Sequence, residues 1–332
     1  IYVSRIECHK MPGCAYNPIA KKIASWLKHL PEARTNTSTE ETAQALAQLK
    51  PGVGEKVFSL DVKSLYTNVP LIDTVKLATR LLFESDSPPP VDRETFSSLI
   101  EMCTSGVLFL TPDYRQKDGV AMGSPLGPQL ANIFMSQYDN RLAEGTAFYR
   151  RYIDDCLVVG NDPAAKLKAA NGLKATHLTF TMEEEKRSAT NSEEFSIPFL
   201  DMEILRAHDS LTTRWYRKPT DTDLLLQADA LAPRVYKRSM IMGTFHRIFR
   251  ASTTWNIFHE GAEKFRKILM TNGYLTEEID DMLGEFIEGK VTPREKSSVE
   301  QEREDITVVR LQYRGTFIDR FIRKLLSLMP PG

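Results

Sequence analysis

The sequence has few cysteines and no long apolar segment, and these two absences exclude several classes of protein. Its four cysteines, Cys8, Cys14, Cys103 and Cys156, are scattered, without the paired spacing of a zinc finger. A metal site at Cys8, His9 and Cys14 is disfavoured because a second ligand pair is missing. We therefore expect free thiols in a reducing compartment. No apolar run approaches the roughly 20 residues that cross a bilayer, so we expect no membrane partner.

The chain also lacks a strong charge of one sign, since its 332 residues carry a net charge of −1. The distribution is uneven, however, because residues 277–305 contain 11 acidic and 4 basic side chains, which leaves +6 on the rest. Few strongly apolar residues follow Phe286 in this stretch, so we predict an acidic linker or loop over 277–305. A nucleic-acid partner stays compatible with the net charge, because such binding depends on a local basic face.

Apolar periodicity and turn residues predict a strand-rich middle of the chain and a helical region from Arg234 onward, which indicates an α+β fold. A strand is expected at the start of 55–70, and hairpins at 106–120 and 150–160. Further strands are expected within 178–186 and 198–218. The predicted helices before Arg234 are 17–30, 37–50 (with Thr39 before its acidic first turn), 71–84, 93–106 and 124–144.

Residues 149–160, YRRYIDDCLVVG, place Asp154 and Asp155 side by side within a strand-like apolar run. Adjacent carboxylates repel each other, and their burial is costly. Asp61 also ends an apolar strand, 93 residues before Asp154. If these strands are neighbours in one sheet, the carboxylates converge, and two Mg²⁺ ions would neutralise them. Such an ion pair, about 3.5–4 Å apart, serves in-line phosphoryl displacement. Taken alone, the doubled acid is equally compatible with a solvated hairpin turn.

Five stretches together carry a family resemblance: FSLDVKSLYTNVP, YRQKDGVAMGSPLGPQLANIFM, RRYIDDCLVV, IPFLDMEIL and WYRKPTDT. In this order and at these spacings they resemble the reverse transcriptases, most closely those of Penelope-like retroelements, which are related to telomerase reverse transcriptases. The resemblance covers roughly residues 1–260. It implies a right-hand polymerase fold with an antiparallel palm sheet, partial fingers and a helical thumb.

The resemblance also implies roles for the acids. Asp61 resembles the first metal ligand, with the carbonyl of Val62 beside it, and Asp154 resembles the second shared ligand. Asp155 corresponds to an accessory acid that faces the metals less directly. The implied cofactor is a pair of Mg²⁺ ions, with Mn²⁺ as a substitute.

Tyr66, five residues after Asp61, resembles the steric gate beneath the sugar of the incoming nucleotide. A ring in this place leaves no room for a 2′-hydroxyl, so deoxynucleotides are expected as substrates and an RNA-dependent RNA polymerase is disfavoured. The alternative is a core tyrosine at a strand end.

The stretch GVAMGSPLGP resembles the loop beside the template base and the incoming nucleotide. It supplies Gly119, Gly123, Ser124 and Pro125, and Gln116 precedes it. Glycine allows a close backbone approach, and Pro125 is expected to start a helix whose N-terminus favours anionic groups. The alternative is an ordinary turn before a helix.

Phe199 and Leu200 resemble the hairpin that supports the primer end, and Asp201 beside them is expected to be structural or primer-positioning. The acid run Glu183–Glu185 is interpreted as a solvated strand end. Residues 234–250 contain five basic and no acidic side chains. This segment resembles a thumb helix that packs through an apolar stripe and follows phosphates with the bases Lys237, Arg238, Arg247 and Arg250.

An ordinary amphipathic surface helix is the alternative for residues 234–250. Ala232 stands where the family usually has a histidine, which weakens the comparison at the thumb entry. The resemblance divides the chain as follows: partial fingers (1–55), first part of the palm (56–80), fingers–palm connection (81–115), palm (116–218), thumb (219–276), acidic linker or loop (277–305) and a C-terminal segment leading towards a GIY-YIG endonuclease domain (306–332).

The implied partners are template RNA, a DNA primer or target, and deoxynucleoside triphosphates, and the implied location is nuclear. The basic residue that holds the triphosphate is expected before Ile1, and no RNase H signature is present. Rival hypotheses are a telomerase-like or domesticated reverse transcriptase and a non-catalytic RNA-binding remnant.

Overall fold

The computed structural model of the chain describes residues 16–34, 37–104, 118–173, 178–187, 194–208 and 210–291. The helices in this part of the chain are α1 (Asn17–Leu27), a 3₁₀ turn (Pro31–Ala33), α2 (Thr39–Gln48), α3 (Leu65–Asn68), α4 (Leu71–Glu84), α5 (Arg93–Thr104), α6 (Gly127–Ala143), α7 (Pro163–Asn171), α8 (Arg234–Ala251), α9 (Trp255–Thr271) and α10 (Thr276–Val291). The strands are β1 (Lys56–Val62), β2 (Phe148–Tyr152), β3 (Asp155–Gly160), β4 (Phe180–Glu184), β5 (Lys186–Arg187), β6 (Glu194–Phe199), β7 (Met202–Ala207) and β8 (Ser210–Trp215).

The first sheet is antiparallel, and its strands lie in the order β2, β3, β1, β4. One face of strand β1 is covered along its length, because Phe58, Leu60 and Val62 are buried. The other face becomes open towards the end of the strand, where Val57 is buried, Ser59 is half-buried and Asp61 is exposed. The buried face belongs to a hydrophobic core that also contains residues of α1, α4, α5 and α6. The alternation along β1 therefore directs Ser59 and Asp61 to the face that the core does not cover.

The chain divides into two compact units, Ile1–Leu200 with Ile204–Leu211, and Asp201–Glu203 with Thr212–Gly332. A second sheet has the strand order β5, β6, β7, β8, and the division passes through β7 and β8. The division into fingers, palm and thumb stays a prediction.

Within the described residues, the second unit is held together largely by aromatic side chains of α8, α9 and α10. Phe245 of α8 meets Phe265 of α9 edge-on, with 5.5 Å between ring centroids. Phe258 of α9 stacks on Phe286 of α10 at the same distance of 5.5 Å. Such pairs add about 0.5–1.5 kcal/mol beyond the burial of their area, so these rings fix the packing of the helices.

A segment without helix or strand, residues 221–230, is tied to the turn between α9 and α10 through Asn272, which is 2% exposed. The side chain of Asn272 accepts the N–H of Leu225 at 2.9 Å and donates to the carbonyl of Asp223 at 2.8 Å. The backbone carbonyl of Asn272 accepts the N–H of Ala228 at 3.0 Å. The segment is thus an integral part of the second unit.

The prediction of an acidic linker or loop over 277–305 is wrong for the first half of that stretch, which forms most of α10. Ile279 and Phe286 are both buried and lie seven residues apart, which is helical spacing for one face. Arg266 of α9 donates to both oxygens of Asp280, at 2.8 and 3.0 Å, and so compensates part of the acidic charge. The remainder of the stretch lies outside the described residues.

Two helix starts also differ from the prediction. Helix α2 is capped by Ser38, whose hydroxyl accepts the N–H of Glu41 at 3.3 Å, and Thr39 is its first residue. Helix α6 begins at Gly127, because the segment around Pro125 first forms a turn.

The other predicted helices and the hairpin at 150–160 are confirmed within the described residues, and the chain is helical over most of 234–291. The hairpin predicted over 106–120 falls almost wholly outside them. None of the helices in this part of the chain has both the length and the apolar character that crossing a membrane requires. Cys103 and Cys156, the cysteines within the described residues, are thiols outside any disulfide.

Candidate active site

Asp61 and Asp155 lie opposite each other on neighbouring strands of the first sheet. The register of β1 and β3 pairs the Cα of Asp61 with that of Asp155, which confirms that the two acid-bearing strands are neighbours. Residues directly opposite in an antiparallel pair direct their side chains to the same face. Because Leu60 and Val62 occupy the core face, the carboxylate of Asp61 is directed to the uncovered one.

Asp154 lies in the tight turn between β2 and β3, and its carbonyl accepts the N–H of Val62 at 3.2 Å. Ile153 before it has a φ of 58°, a left-handed conformation that strains a β-branched residue. Burial first, and then the charge of Asp61, raise the pKa of Asp154. Two carboxylates that disfavour each other's charge form an environment that a bound cation would stabilise.

A cavity of about 320 Å³ opens over the uncovered face of the sheet. Asp61 and Asp155 both line it, as does Thr181, whose hydroxyl donates to Oδ2 of Asp61 at 3.4 Å. Phe199 and Leu200, the residues predicted to support the primer end, line the same cavity. The first unit therefore brings two of the predicted catalytic acids and the two residues predicted to support the primer end to one cavity. The other lining residues are Ser59, Met182, Glu183 and Pro198.

The donor set fits Mg²⁺, which in phosphoryl-transfer sites is bound by one or two carboxylates together with substrate phosphates. Asp61 and Asp154 supply two carboxylates that interact electrostatically. Within the described residues, no group of three or more His, Cys, Asp or Glu side chains is arranged to hold a metal ion. Phosphates of a substrate would therefore have to complete the ligands of the ion. A role for the Val62 carbonyl stays a prediction.

Tyr66 lies in α3 directly after β1, and its ring packs against the start of α6. A Cβ added at Gly127 would lie 3.1 Å from Cε1 of Tyr66. Burial first, and then the charges of Asp154 and Tyr152, raise the pKa of the Tyr66 hydroxyl. The hydroxyl of Tyr66 is thus near the acidic turn, and the role of the ring beneath an incoming sugar stays a prediction.

The backbone at Gly119 lies directly against α3, since a Cβ there would come within 2.8 Å of the carbonyl oxygen of Thr67. Gly119 also has a φ of 82°. The N–H of Val120 donates to the carbonyl of Tyr66 at 2.6 Å. Glycine is therefore the residue that this close approach and this conformation require.

The other predicted nucleotide-binding residues are only partly located. Gly123 is exposed with a φ of 86°, while Ser124 and Pro125 are half-buried. The carbonyl of Ser124 accepts the N–H of Gly127 at 3.0 Å, which places this turn at the N-terminus of α6. Gln116 lies outside the described residues.

Of the bases predicted to follow phosphates, Lys237, Arg238 and Arg247 have partners within the second unit. Lys237 donates to the carbonyl of Ala228 at 2.6 Å, and Arg238 pairs with Glu285. Arg250 is exposed near the end of α8. Binding a phosphate through Arg238 would therefore require exchange of an exposed ion pair, which costs little.

Arg247, predicted to follow phosphates, and Asp201, predicted to be structural or primer-positioning, form one ion pair within the second unit. Nε and Nη2 of Arg247 each donate to a different oxygen of Asp201 at 3.1 Å. The two side chains are about half exposed, at 54% and 45%. Asp201 therefore has a structural partner, and phosphate binding by Arg247 stays a prediction.

Three residues of the site were not predicted from the sequence: Arg151, Asp139 and Thr181. Arg151 is 1% exposed and pairs with Asp139. A signal was present, because Arg151 interrupts a strand whose neighbour β3 is wholly apolar after Asp155. A charge at such a buried position needs an acidic partner. Thr181 left no comparable signal, since its place beside Asp61 follows only from the register of β4 with β1.

An antiparallel sheet backed by helices, with acids on its open face, is typical of the palm of nucleic-acid polymerases. The family described as reverse transcriptase (RNA-dependent DNA polymerase) matches residues 8–197. Because this match covers more than half of the chain, the chain belongs to the reverse transcriptase family. The predicted fold class, an α+β right-hand polymerase fold with an antiparallel sheet, is thereby confirmed.

A second family, the animal helix-turn-helix domain, matches residues 224–282. These residues include most of the 221–230 segment, all of α8 and α9, and the first turns of α10. The match lies wholly within the second unit, which agrees with its separate aromatic core.

Several solved structures are similar to this chain. Telomerase from Candida albicans in complex with a TWJ fragment of telomeric RNA is 12% identical, with 82% of this chain and 51% of that one covered and a TM-score of 0.49. Apo telomerase from Candida tropicalis is 10% identical, with 82% and 52% covered and a TM-score of 0.44. The Sicinivirus 3Dpol RNA-dependent RNA polymerase is 11% identical, with 76% and 55% covered and a TM-score of 0.38.

This chain spans about half the length of those telomerase chains. At these TM-scores the likenesses carry no argument about its activity. No curated protein matches the chain.

Proposed function

We propose that the first unit is the catalytic part of a reverse transcriptase, which extends a DNA 3′ end on an RNA template. The observation that supports this most strongly is the placement of the acids in a chain of this family. Asp61 and Asp155 line one cavity, and Asp154 lies in the adjoining turn with a pKa that burial and Asp61 raise.

In the proposed reaction, the 3′-hydroxyl oxygen of the primer attacks the α-phosphorus of a deoxynucleoside triphosphate. The bond from this phosphorus to the oxygen of the β-phosphate breaks, pyrophosphate leaves, and the hydroxyl proton passes to water. Two Mg²⁺ ions, with Mn²⁺ as a substitute, would when bound neutralise the developing charge on the attacking and leaving oxygens. Asp61 and Asp154 would hold these ions, with Asp155 as an accessory acid.

The remaining residues of the site position the reactants. Thr181 donates to Asp61 and so restricts the direction of that carboxylate. Phe199 and Leu200 lie in the wall of the cavity, where they would support the primer terminus. The Tyr66 ring would exclude a 2′-hydroxyl and thereby select deoxynucleotides.

The finer assignment is a Penelope-like retroelement enzyme that performs target-primed reverse transcription in the nucleus. It rests on the five ordered sequence stretches, of which WYRKPTDT lies at the start of the second unit. The second unit would act as a thumb whose α8 bases contact the phosphates of the template and primer.

Primer extension by the purified chain tests the proposal. The substrate is an RNA template annealed to a DNA primer, supplied with deoxynucleotides or ribonucleotides and with Mg²⁺ or Mn²⁺. We expect wild-type protein to add deoxynucleotides, and Asp154→Asn to add none. Asp86→Asn removes an exposed acid of the same unit and should keep the wild-type rate. Extension by Asp154→Asn at the wild-type rate would contradict the proposed roles of the acids.

A further inference from the structure

A buried ion pair supports the hairpin that carries the paired acids, and the mechanism above does not use it. Arg151 of β2 is 1% exposed. Its Nε donates to Oδ1 of Asp139 at 2.7 Å and its Nη2 to Oδ2 at 2.8 Å. Burial alone would lower the pKa of Arg151, but the hydrogen bond and charge of Asp139 outweigh it, and the pKa is raised. The guanidinium therefore stays charged, held by two parallel bonds of fixed geometry.

The third nitrogen of the same guanidinium is directed at the turn. Nη1 of Arg151 donates to the carbonyl of Ile153 at 3.0 Å and to Oδ1 of Asn132 at 2.8 Å. Ile153 is the residue with a φ of 58° directly before Asp154. A left-handed β-branched residue costs about 1–3 kcal/mol and persists only where its surroundings fix it. The bond to its carbonyl is such a restraint.

We propose that Arg151 is a positioning residue for the polymerase reaction. Asp139 and Asn132 fix the plane of its guanidinium, and Nη1 in turn fixes the Ile153 carbonyl. The direction of the Asp154 carboxylate, one residue further, is thereby set. This inference deepens the proposed function and rests on it.

The opposing interpretation is that the ion pair only stabilises the fold. A buried ion pair is often no more stabilising than apolar side chains of the same volume, so stability alone explains its presence poorly. The chain offers a matched comparison in Tyr149, whose hydroxyl donates to Oδ1 of the same Asp139 at 2.8 Å. Tyr149→Phe loosens that carboxylate while the bond from Arg151 to the Ile153 carbonyl is retained.

The kinetic test measures single-nucleotide incorporation by Arg151→Lys, Tyr149→Phe and Arg206→Lys. Lysine keeps the charge but cannot reach Asp139 and Ile153 in one fixed plane. We expect kcat of Arg151→Lys to fall about 10- to 100-fold, as for a small misplacement of a reacting group, with KM for the nucleotide nearly unchanged. Arg206 donates three hydrogen bonds to Glu185 in the same unit, and its variant should keep kcat.

A second measurement does not depend on activity. Binding of Mn²⁺ alone is followed by electron paramagnetic resonance, at temperatures where each variant is fully folded. Loss of a residue that orients a metal ligand typically weakens metal binding about 10- to 100-fold. We expect such a weakening in Arg151→Lys, and wild-type affinity in Tyr149→Phe and Arg206→Lys.

Should Arg151→Lys not fold, Asn132→Ala serves in its place. It leaves the ion pair with Asp139 intact and removes the second acceptor of Nη1, together with the bond that Asn132 donates to the Ala33 carbonyl at 3.4 Å. It should lower kcat and weaken Mn²⁺ binding in the same direction, by a smaller factor. Equal effects of Arg151→Lys and Tyr149→Phe, or unchanged Mn²⁺ binding in Arg151→Lys, would overturn the inference. Failure of wild-type protein to extend primers would instead overturn the proposed function, while the Mn²⁺ comparison would still decide the role of Arg151.

Discussion

The acids at the open face of the first sheet and the ion pairs between the helices of the second unit differ in how their charge is compensated. In the first unit, Arg151 is buried against Asp139, while burial first, and then the charge of Asp61, raise the pKa of Asp154. In the second unit, Arg266 and Asp280 pair across neighbouring helices with their side chains 24% and 50% exposed. The first unit thus keeps an unfavourable concentration of negative charge, whereas the second balances its charges over an aromatic core.

This difference indicates where selection for chemistry acts. Exposed ion pairs contribute about 0–1 kcal/mol each, so those of the second unit can be exchanged for phosphate contacts at little cost. Repelling carboxylates are destabilising in themselves and require compensation by a ligand. Removal of acidic residues should therefore have opposite consequences in the two units.

The largest expected contrast is between Asp61→Asn and Asp280→Asn. Loss of one Asp61 oxygen charge should lower the rate of nucleotide incorporation by at least about 100- to 1,000-fold, the scale for lost electrostatic stabilisation of a transition state. Asp280→Asn removes only an exposed partner of Arg266 and should stay within a few-fold of wild type. Single-turnover incorporation on one primer–template measures both. Comparable losses of the incorporation rate in Asp61→Asn and Asp280→Asn would contradict the proposed difference between the two acids.

Two glycine-to-alanine substitutions, one in each unit, should change the free energy of unfolding in opposite directions. Gly119→Ala would place a Cβ within 2.8 Å of the Thr67 carbonyl oxygen at a φ of 82°, and we expect it to lower the free energy of unfolding by about 3 kcal/mol or more. Gly243 in α8 has open space around it, so Gly243→Ala should stabilise the second unit by about 0.5–1 kcal/mol. Urea unfolding of both variants measures these changes in the free energy of unfolding, and two changes of the same sign would contradict the prediction.

Asn272→Ala should destabilise the second unit by about 1–3 kcal/mol, because the N–H of Leu225 would lose its buried acceptor. Hydrogen exchange should then show faster exchange over residues 221–230 and unchanged protection of β1 and β3. Thr271→Ala, in the same helical turn, serves as a control because it loses only a bond to its own helix. Faster exchange throughout the first unit would show that the two units do not unfold separately.

A smaller effect is expected on the stability of the fold, from the ionisation of Asp154 in the absence of divalent ions. Its folded-state pKa lies above the ordinary value of 3.8, so ionised Asp154 destabilises the fold at pH values above that ordinary pKa. In EDTA at neutral pH, Asp154→Asn should therefore unfold at a slightly higher temperature than wild type. The difference should shrink as pH falls and vanish where the carboxyl is protonated in both states. A variant less stable than wild type at neutral pH would contradict the assigned repulsion.

Much of the first unit was predictable, because alternation along β1 and the doubled acid of β2–β3 are local patterns. The neighbouring position of the two acid-bearing strands followed from their apolar character, whereas the register that sets Asp61 opposite Asp155 rather than Asp154 was not predicted. The placement of Thr181 and the contact of Arg151 with Ile153 were not predictable, since they depend on strand register and on the packing of α6 behind the sheet. The bond of Thr181 to Asp61 joins residues 120 positions apart. The bond of Arg151 to Ile153 spans only two positions, but it depends on how Asp139 and Asn132 of α6 hold the guanidinium.

In the second unit, the acidic composition of residues 277–305 led to the wrong prediction of a linker or loop at the start of that stretch. Residues 277–291 are rich in acids, yet Ile279 and Phe286 anchor them as a helix and Arg266 offsets part of their charge. The apolar spacing was present but outweighed by the count of charges. The five bases of α8 were visible, while the partners of Lys237, Arg238 and Arg247 became apparent only in the fold.

The most direct test of the central claim is to map where a divalent ion binds. Fe²⁺ in place of Mg²⁺, with ascorbate and peroxide, cleaves the backbone next to its site, and mass spectrometry locates the cuts. The account predicts cuts close to Asp61 and to Ile153–Asp155, suppressed by excess Mg²⁺ and lost in Asp61→Asn. Cuts confined to other parts of the chain, or cuts near Asp61 that Mg²⁺ does not suppress, would contradict it.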